Sequence, residues 1–180
     1  INWIDSETIN EQNVKVALSK CDGILIPGGF GERGIEGMIS AAKYARENNV
    51  PCLGICLGMQ IMVIEFARHI CGLADANSGE FDAETAHKVI DFMPDQSDEI
   101  NKGGTLRLGA YPCAIKKGSK MAACYQAELI SERHRHRYEF NNDYREAMQE
   151  KGLVIGGMSP DGHIVETVEL ADKDFYLGVQ

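Results

Sequence analysis

The sequence predicts an α/β fold: an open, mixed and mostly parallel sheet flanked by helices. Three observations carry that prediction. Cys21 to Ile26 and Val50 to Ile55 are short apolar runs bounded by turn residues, as buried strands are. Each is followed by apolar residues at helical spacing, and strand–helix–strand–helix is the order of parallel strands joined by crossover helices. At 180 residues, with 44% apolar and 25% charged, the chain can bury one core of ordinary domain size.

The elements follow in order. Cys21-Asp22-Gly23-Ile24-Leu25-Ile26 is stopped by Pro27-Gly28-Gly29. Ile35, Met38, Ile39, Ala42 and Ala45 keep the helical period until Asn48-Asn49 ends it. Val50 to Ile55 forms the second strand, and Leu57 to His69 a helix that finishes near Gly72. Residues 72–104 are mostly polar and predict irregular chain with turns at Asn77-Ser78-Gly79 and Lys102-Gly103-Gly104. Short strands are expected at Thr105 to Ala110, Pro112 to Ile115 and Arg137 to Phe140. Asn141 or Asn142 caps a helix with Tyr144, Ala147 and Met148 inward, ended by Gly152. Leu153 to Met158 and His163 to Leu170 make a hairpin around Ser159-Pro160-Asp161-Gly162, and Phe175 to Val179 starts a last strand.

Composition narrows the function. Lys plus Arg is 18 against 27 Asp plus Glu, a formal charge of −9, so nucleic acid is not an expected partner. The local cluster Arg133-His134-Arg135-His136-Arg137 is the one basic exception. No apolar run approaches the ~18 residues of a membrane span, so no membrane partner is expected. The first residues lack the basic and apolar parts of a signal peptide, and there is no initiator Met. A cytoplasmic piece of a longer protein is the expectation. The six Cys form no CxxC pair, and most are expected to be reduced and buried as small hydrophobes.

The sharpest chemical feature is Gly54-Ile55-Cys56-Leu57-Gly58. It closes a buried strand and opens a helix, the form of a nucleophile elbow with Cys in the place of Ser. Such a turn strains the central residue and aims its side chain off the sheet edge. The helix N-terminus is expected to lower the thiol pKa, and the Leu57 N–H to point at a developing oxyanion. An isolated GxCxG also suits a core Cys beside two packing glycines; the flanking strand and helix favour the nucleophile. Cys52, without those glycines, is expected to be core.

Pro27-Gly28-Gly29-Phe30-Gly31-Glu32-Arg33-Gly34 contains G-x-G-x-x-G. A dinucleotide site would need an acid at the end of the next strand, ~20 residues on. That strand ends Leu53-Gly54-Ile55-Cys56, so the loop is better taken as a second source of backbone N–H donors beside Cys56. A Cys nucleophile needs a base, usually His. His69 lies roughly 20 Å down the helix from Cys56. His87 is expected in solvent and His163 at the surface; His134 and His136 share one strand face, opposite Arg133, Arg135 and Arg137. None is convincing as the base. The arginines suit a charged strand face or a planar clamp for a carboxylate.

The stretches PGGFGERG (27–34), GICLGMQ (54–60), DANSGEF (75–81), GGTLRLGAYPC (103–113) and SERHRHRYEFNN (131–142) resemble the glutamine amidotransferase domain of the CTP synthase family. This is the class I, Cys-His-Glu type, whose fold is flavodoxin-like. The likeness runs from Trp3 to Gln180. It implies that Cys56 attacks the side-chain amide of L-glutamine, forms a glutamyl thioester and releases ammonia. It implies oxyanion and substrate contacts from Gly29 and Leu57, a glutamine pocket completed by Gly58, Met59 and Gln60, and Glu80 and Arg137 on the α-amino and α-carboxylate groups. In that family the ammonia passes to an N-terminal synthetase domain, absent here, where ATP, UTP and Mg serve the amination of UTP to CTP. No metal or cofactor is then expected in this domain, and the full-length protein is expected to be a homo-oligomer, a tetramer.

The family continues after Gly-Val-Gln into Phe-His-Pro-Glu, which holds the base His and its Glu. The resemblance therefore implies an amidotransferase domain over 1–180 truncated at its C-terminal end, with little glutaminase turnover by itself. Two other readings share the elbow: a stand-alone cysteine γ-glutamyl hydrolase, and a non-catalytic regulatory domain of the same fold.

Overall fold

The computed structural model describes residues 1–92 and 107–180. Its elements in chain order are α1 (Val14–Leu18), β1 (Ile24–Ile26), α2 (Ile35–Asn48), β2 (Cys52–Ile55), α3 (Leu57–His69), β3 (Asn77–Ser78), β4 (Lys88–Asp91), β5 (Arg107–Ile115), α4 (Lys120–Tyr125), β6 (Leu129–His136), β7 (Glu139–Phe140), α5 (Arg145–Glu150), β8 (Leu153–Met158), β9 (Val165–Leu170) and β10 (Tyr176–Val179). The main sheet has the order β1-β2-β10-β9-β8-β5-β6. It is mixed, as expected, but mostly antiparallel and not mostly parallel: β1, β2 and β10 run parallel, whereas β9, β8, β5 and β6 pair antiparallel, because the second half of the chain returns through short connections in place of crossover helices.

Helix α3 organises the core. Every residue from Leu57 to Ala67 is buried, because α3 is packed all round, by the sheet, by α2 and by the small sheet β3-β4-β7. Ile61, Met62, Ile64 and Phe66 join Ile39, Ala42 and Ala45 of α2 and Val168 and Tyr176 of the sheet. Fully burying each large apolar side chain contributes about 1.5–3 kcal/mol.

The predicted α2, β2, α3, hairpin and last strand all form. Asn141 caps as expected: its side chain accepts from the Asp143 N–H at the start of a 3-10 turn that runs into α5. Elsewhere the structure corrects the sequence. The two expected strands around Pro112 are one continuous β5, because Pro112 sits opposite Ser131 without interrupting the pairing with β6. The expected turn at 77–79 holds a short strand, β3, pairing with an unforeseen β4. Helices α1 and α4 were too short to show a period. The turn at 102–104 and Thr105 lie outside the described residues. The six Cys are free, but only Cys52 and Cys113 are fully buried; Cys124 is exposed.

Candidate active site

The glycines around Cys56 are explained by close approach. A Cβ on Gly58 would overlap the Ile26 carbonyl oxygen, and one on Gly54 would lie 2.6 Å from the Gly58 carbonyl carbon and 2.5 Å from Met62 Sδ. Both positions let α3 start directly against β1 and β2. The turn so produced holds Cys56 at φ 53°, ψ −106°, a conformation a non-glycine residue adopts only under constraint. Its N–H donates to Val179 O at 2.7 Å and its carbonyl accepts from the Gln60 N–H at 3.2 Å, so the backbone is fixed on both sides.

The Cys56 side chain opens on a cleft of about 290 Å³ lined by Gly29, Phe30, Gln60, Glu80, Arg135, His136, Arg137 and Tyr138. The structure thus brings together Cys56, Gly29, Gln60, Glu80 and Arg137 from four separate stretches of chain. Leu57, Gly58 and Met59 form the first turn of α3 behind the sulfur and are buried. Gly28 packs against Cys56, with its Cβ position 3.5 Å from Cys56 Cβ, and that of Gly29 is 3.0 Å from Leu57 Cδ2. The glycine loop and the elbow are therefore in contact.

Three hydrogen bonds shape the walls. Glu80 Oε1 accepts from the Gly31 N–H at 3.2 Å, tying the glycine loop to the chain after β3. Gln60 Nε2 donates to Tyr138 O at 3.1 Å and to Gln180 Oε1 at 3.4 Å, tying α3 to the turn that carries Arg137 and to the end of β10. The Arg135 guanidinium lies 5.8 Å from the Phe30 ring centre across the cleft mouth.

The expected low thiol pKa is corrected. Burial pushes the Cys56 thiol up; the Leu57 N–H bonded to the sulfur pulls it down, while the Glu139 and Glu80 carboxylates push it up further. An N-terminal helix turn does not outweigh desolvation and two nearby carboxylates. Cys52 differs sharply, with burial pushing it to about 12.

The histidines sort clearly. His69 bonds to the Glu65 carbonyl and His163 is exposed. His87 is half-buried against the Tyr144 hydroxyl rather than free in solvent. His134 and His136 do share one face of β6, opposite Arg133 and Arg135, but that face is buried. His136 is the one that reaches the cleft, and its Nε2 is 2.8 Å from His134 Nδ1. What lies behind it left no trace in the sequence pattern, because buried charged residues leave no apolar period. Among the described residues, no group of His, Cys, Asp and Glu is arranged to hold a metal. No helix is long and apolar enough to cross a membrane, again among the described residues.

The model of the class I glutamine amidotransferase family matches residues 1–180. The chain is 59% identical to CTP synthase of Levilactobacillus brevis over 100% of its own length and 34% of that protein. It is 57% identical to CTP synthase of Caldanaerobacter subterraneus, with the same coverage. It thus spans about a third of the length of these curated relatives. Among solved structures it superposes on the Trypanosoma brucei CTPS glutaminase domain with bound acivicin at a TM-score of 0.94 and 41% identity, covering all of this chain and 71% of that one.

Proposed function

The chain belongs to the class I glutamine amidotransferase family, and from that premise we propose that it is the glutaminase unit of a CTP synthase, with Cys56 as nucleophile. The observation that carries the proposal is the backbone of Cys56, held at φ 53° on a strand–helix turn with the Leu57 N–H on its sulfur.

In this reading L-glutamine lies in the cleft with its side-chain amide at Cys56. Arg137 forks onto the α-carboxylate and Glu80 accepts from the α-amino group. The Cys56 sulfur forms a bond to the amide carbon, and the carbonyl oxygen becomes an oxyanion received by the N–H groups of Leu57 and Gly29. The C–N bond then breaks, and the nitrogen leaves as ammonia after taking up the proton that the thiol gave. Water cleaves the C–S bond, which releases glutamate and restores the thiol. Gly58, Met59 and Gln60 shape the pocket floor.

The proton needs a carrier. His136 is already engaged by His134 and Glu139. The family resemblance gives the carrier's part to a His after Gln180, oriented by a Glu, and an imidazolium there would offset the raised thiol. Ammonia would serve the ATP-dependent amination of UTP on a synthetase domain of the same protein, a cytoplasmic homo-oligomer; ATP, UTP and Mg belong to that domain.

Cys56→Ala tests this in the full-length protein. It is expected to abolish CTP formation from glutamine and to leave CTP formation from added ammonia intact, since only ammonia generation is removed. CTP formation from glutamine by that variant would refute the assignment. The trypanosomal neighbour holds acivicin, and the proposal extends that binding to this cleft: acivicin is expected to protect Cys56, not Cys124, from iodoacetamide.

A further inference from the structure

Behind the cleft wall lie five buried side chains that the proposed chemistry does not use: Arg107 on β5, His134 and His136 on β6, Glu139 on β7 and Glu166 on β9. One guanidinium faces two carboxylates and does not treat them alike. Arg107 reaches Glu166 at 2.7 and 3.3 Å through both terminal nitrogens, but Glu139 only at 3.4 Å. Glu139 Oε2 is buried and has no hydrogen-bond partner.

The two imidazoles connect these carboxylates. His134 Nε2 is 3.6 Å from Glu166 Oε2, and His136 Nδ1 is 3.4 Å from Glu139 Oε1. Between the rings the N···N distance is 2.8 Å, so one nitrogen donates and the other accepts. Burial holds both rings toward the neutral form, His136 down to about 3, so each carries one N–H. If His136 Nε2 donates, His134 accepts on Nδ1 and turns its own N–H toward Glu166. His136 Nδ1 is then bare, 3.4 Å from Glu139 Oε1, and is buried without a hydrogen-bond partner, as Glu139 Oε2 is; a protonated Glu139 brings the donor that this nitrogen lacks. The opposite orientation sets the bare Nε2 of His134 against Glu166, both of whose oxygens already accept from Arg107.

We propose that Glu139, His136, His134 and Glu166 form one polar chain, hydrogen-bonded at its central His134–His136 link and directed toward Glu166, with Glu139 as its protonated end, and that this chain positions the cleft wall carrying Arg137. His136 precedes Arg137, and Tyr138 O, which follows it, accepts from Gln60; Arg137 is thus presented from a backbone fixed at both neighbours. Among the described residues, the charged and titratable groups facing Glu139 are Arg107, Glu166, His136 and, across the wall, Cys56. Burial raises the Glu139 carboxyl to about 8, with Glu166 adding to the rise and the shared Arg107 opposing it only in part. The polar chain stands independently of the glutaminase reading; its effect on glutamine binding rests on that reading.

Histidine tautomers read the chain directly, by 15N NMR of the 180-residue protein. At pH 6 both His134 and His136 are expected as the Nε2–H tautomer. Glu139→Gln keeps a donor toward His136 Nδ1 and is expected to keep both tautomers; Glu139→Leu removes it and is expected to release His136. As pH passes about 8, wild-type His136 is expected to move its proton to Nδ1, and the Gln variant is not. An Nδ1–H His136 at pH 6, or the same alkaline change in the Gln variant, overturns the proposal. Should the Leu variant fail to fold, the wild type and Glu139→Gln still decide. In the full-length protein, KM for glutamine is expected to rise about tenfold, equivalent to about 1.4 kcal/mol, in Glu139→Leu relative to Glu139→Gln. Equal KM values for the two variants would remove the positioning part.

Discussion

Glu65 and Glu139 are both buried carboxylates, 0% and 1% exposed, each beside an arginine and a histidine, and they are built to opposite ends. Glu65, on the buried face of α3, shares Arg46 only with Glu47, a half-exposed carboxylate 3.7 Å from the guanidinium. Nε and Nη2 of Arg46 reach its two oxygens at 2.7–3.1 Å, and the Tyr176 hydroxyl and His69 Nδ1 stand at 3.4 and 3.2 Å. Glu139 shares Arg107 with Glu166, holds the longer contact and leaves one oxygen unpaired. Glu65 clamps α2, α3 and β10 together. Glu139 stands behind the cleft with a proton to keep. The difference lies in the count of buried carboxylates per guanidinium, one at Arg46 and two at Arg107, not in depth of burial.

The largest effect is expected where the match is complete. Glu65→Gln leaves the Arg46 charge with no buried counter-charge, only the half-exposed Glu47 at 3.7 Å, and is expected to cost about 3–5 kcal/mol, read from urea unfolding. Arg46→Met with Glu65→Leu removes both charges and is expected to recover most of that loss. If the single variant unfolds at the wild-type midpoint, Glu65 is not the clamp described. Arg107→Met comes next and depends on pH. At pH 6 Glu139 is already neutral and the loss is moderate; as pH passes about 8 Glu139 loses its proton beside Glu166 with no shared cation, and the loss is expected to approach that of Glu65→Gln. A loss independent of pH would show that the two pairs are alike.

This contrast was only partly legible in the amino-acid sequence. The elbow was, because Gly54 and Gly58 are imposed by contacts within one strand–turn–helix unit. Helices α2 and α3 showed their period for the same local reason. The alternation of His134 and His136 with Arg133 and Arg135 marked a two-faced strand, yet its inward face could not be told from its outward one, since both are polar. Glu65 gave no sign of burial, and Arg107, Glu139 and Glu166 lie 32 and 59 residues apart along the chain. Such clusters are fixed by tertiary pairing of β5, β6, β7 and β9, which no local pattern encodes. The thiol of Cys56 was misjudged for a related cause: the helix start is local and visible, whereas Glu80 and Glu139 reach it from other segments.

The smallest expected effect is also the one that best separates the two carboxylates. At pH 6 Glu139→Gln replaces a neutral acid by a neutral amide of the same shape, and stability is expected to change by no more than about 1 kcal/mol. The pH dependence is another matter. Glu139 binds its proton up to about 8 in the folded chain, against an ordinary value of 4.5, so between those values the folded state holds a proton the unfolded state has lost. Stability from this group is complete below 4.5 and falls as pH rises through 8. His134 and His136, lowered by burial, act in the opposite sense, and their contribution is lost as pH falls below the ordinary histidine value of 6.5. Wild-type urea midpoints are therefore expected to peak near neutrality and to decline on both sides. Glu139→Gln is expected to keep the acid decline and to flatten the alkaline one. Parallel curves for the two proteins from pH 6 to 9 would mean that Glu139 is ionised in the folded state, paired as fully as Glu65.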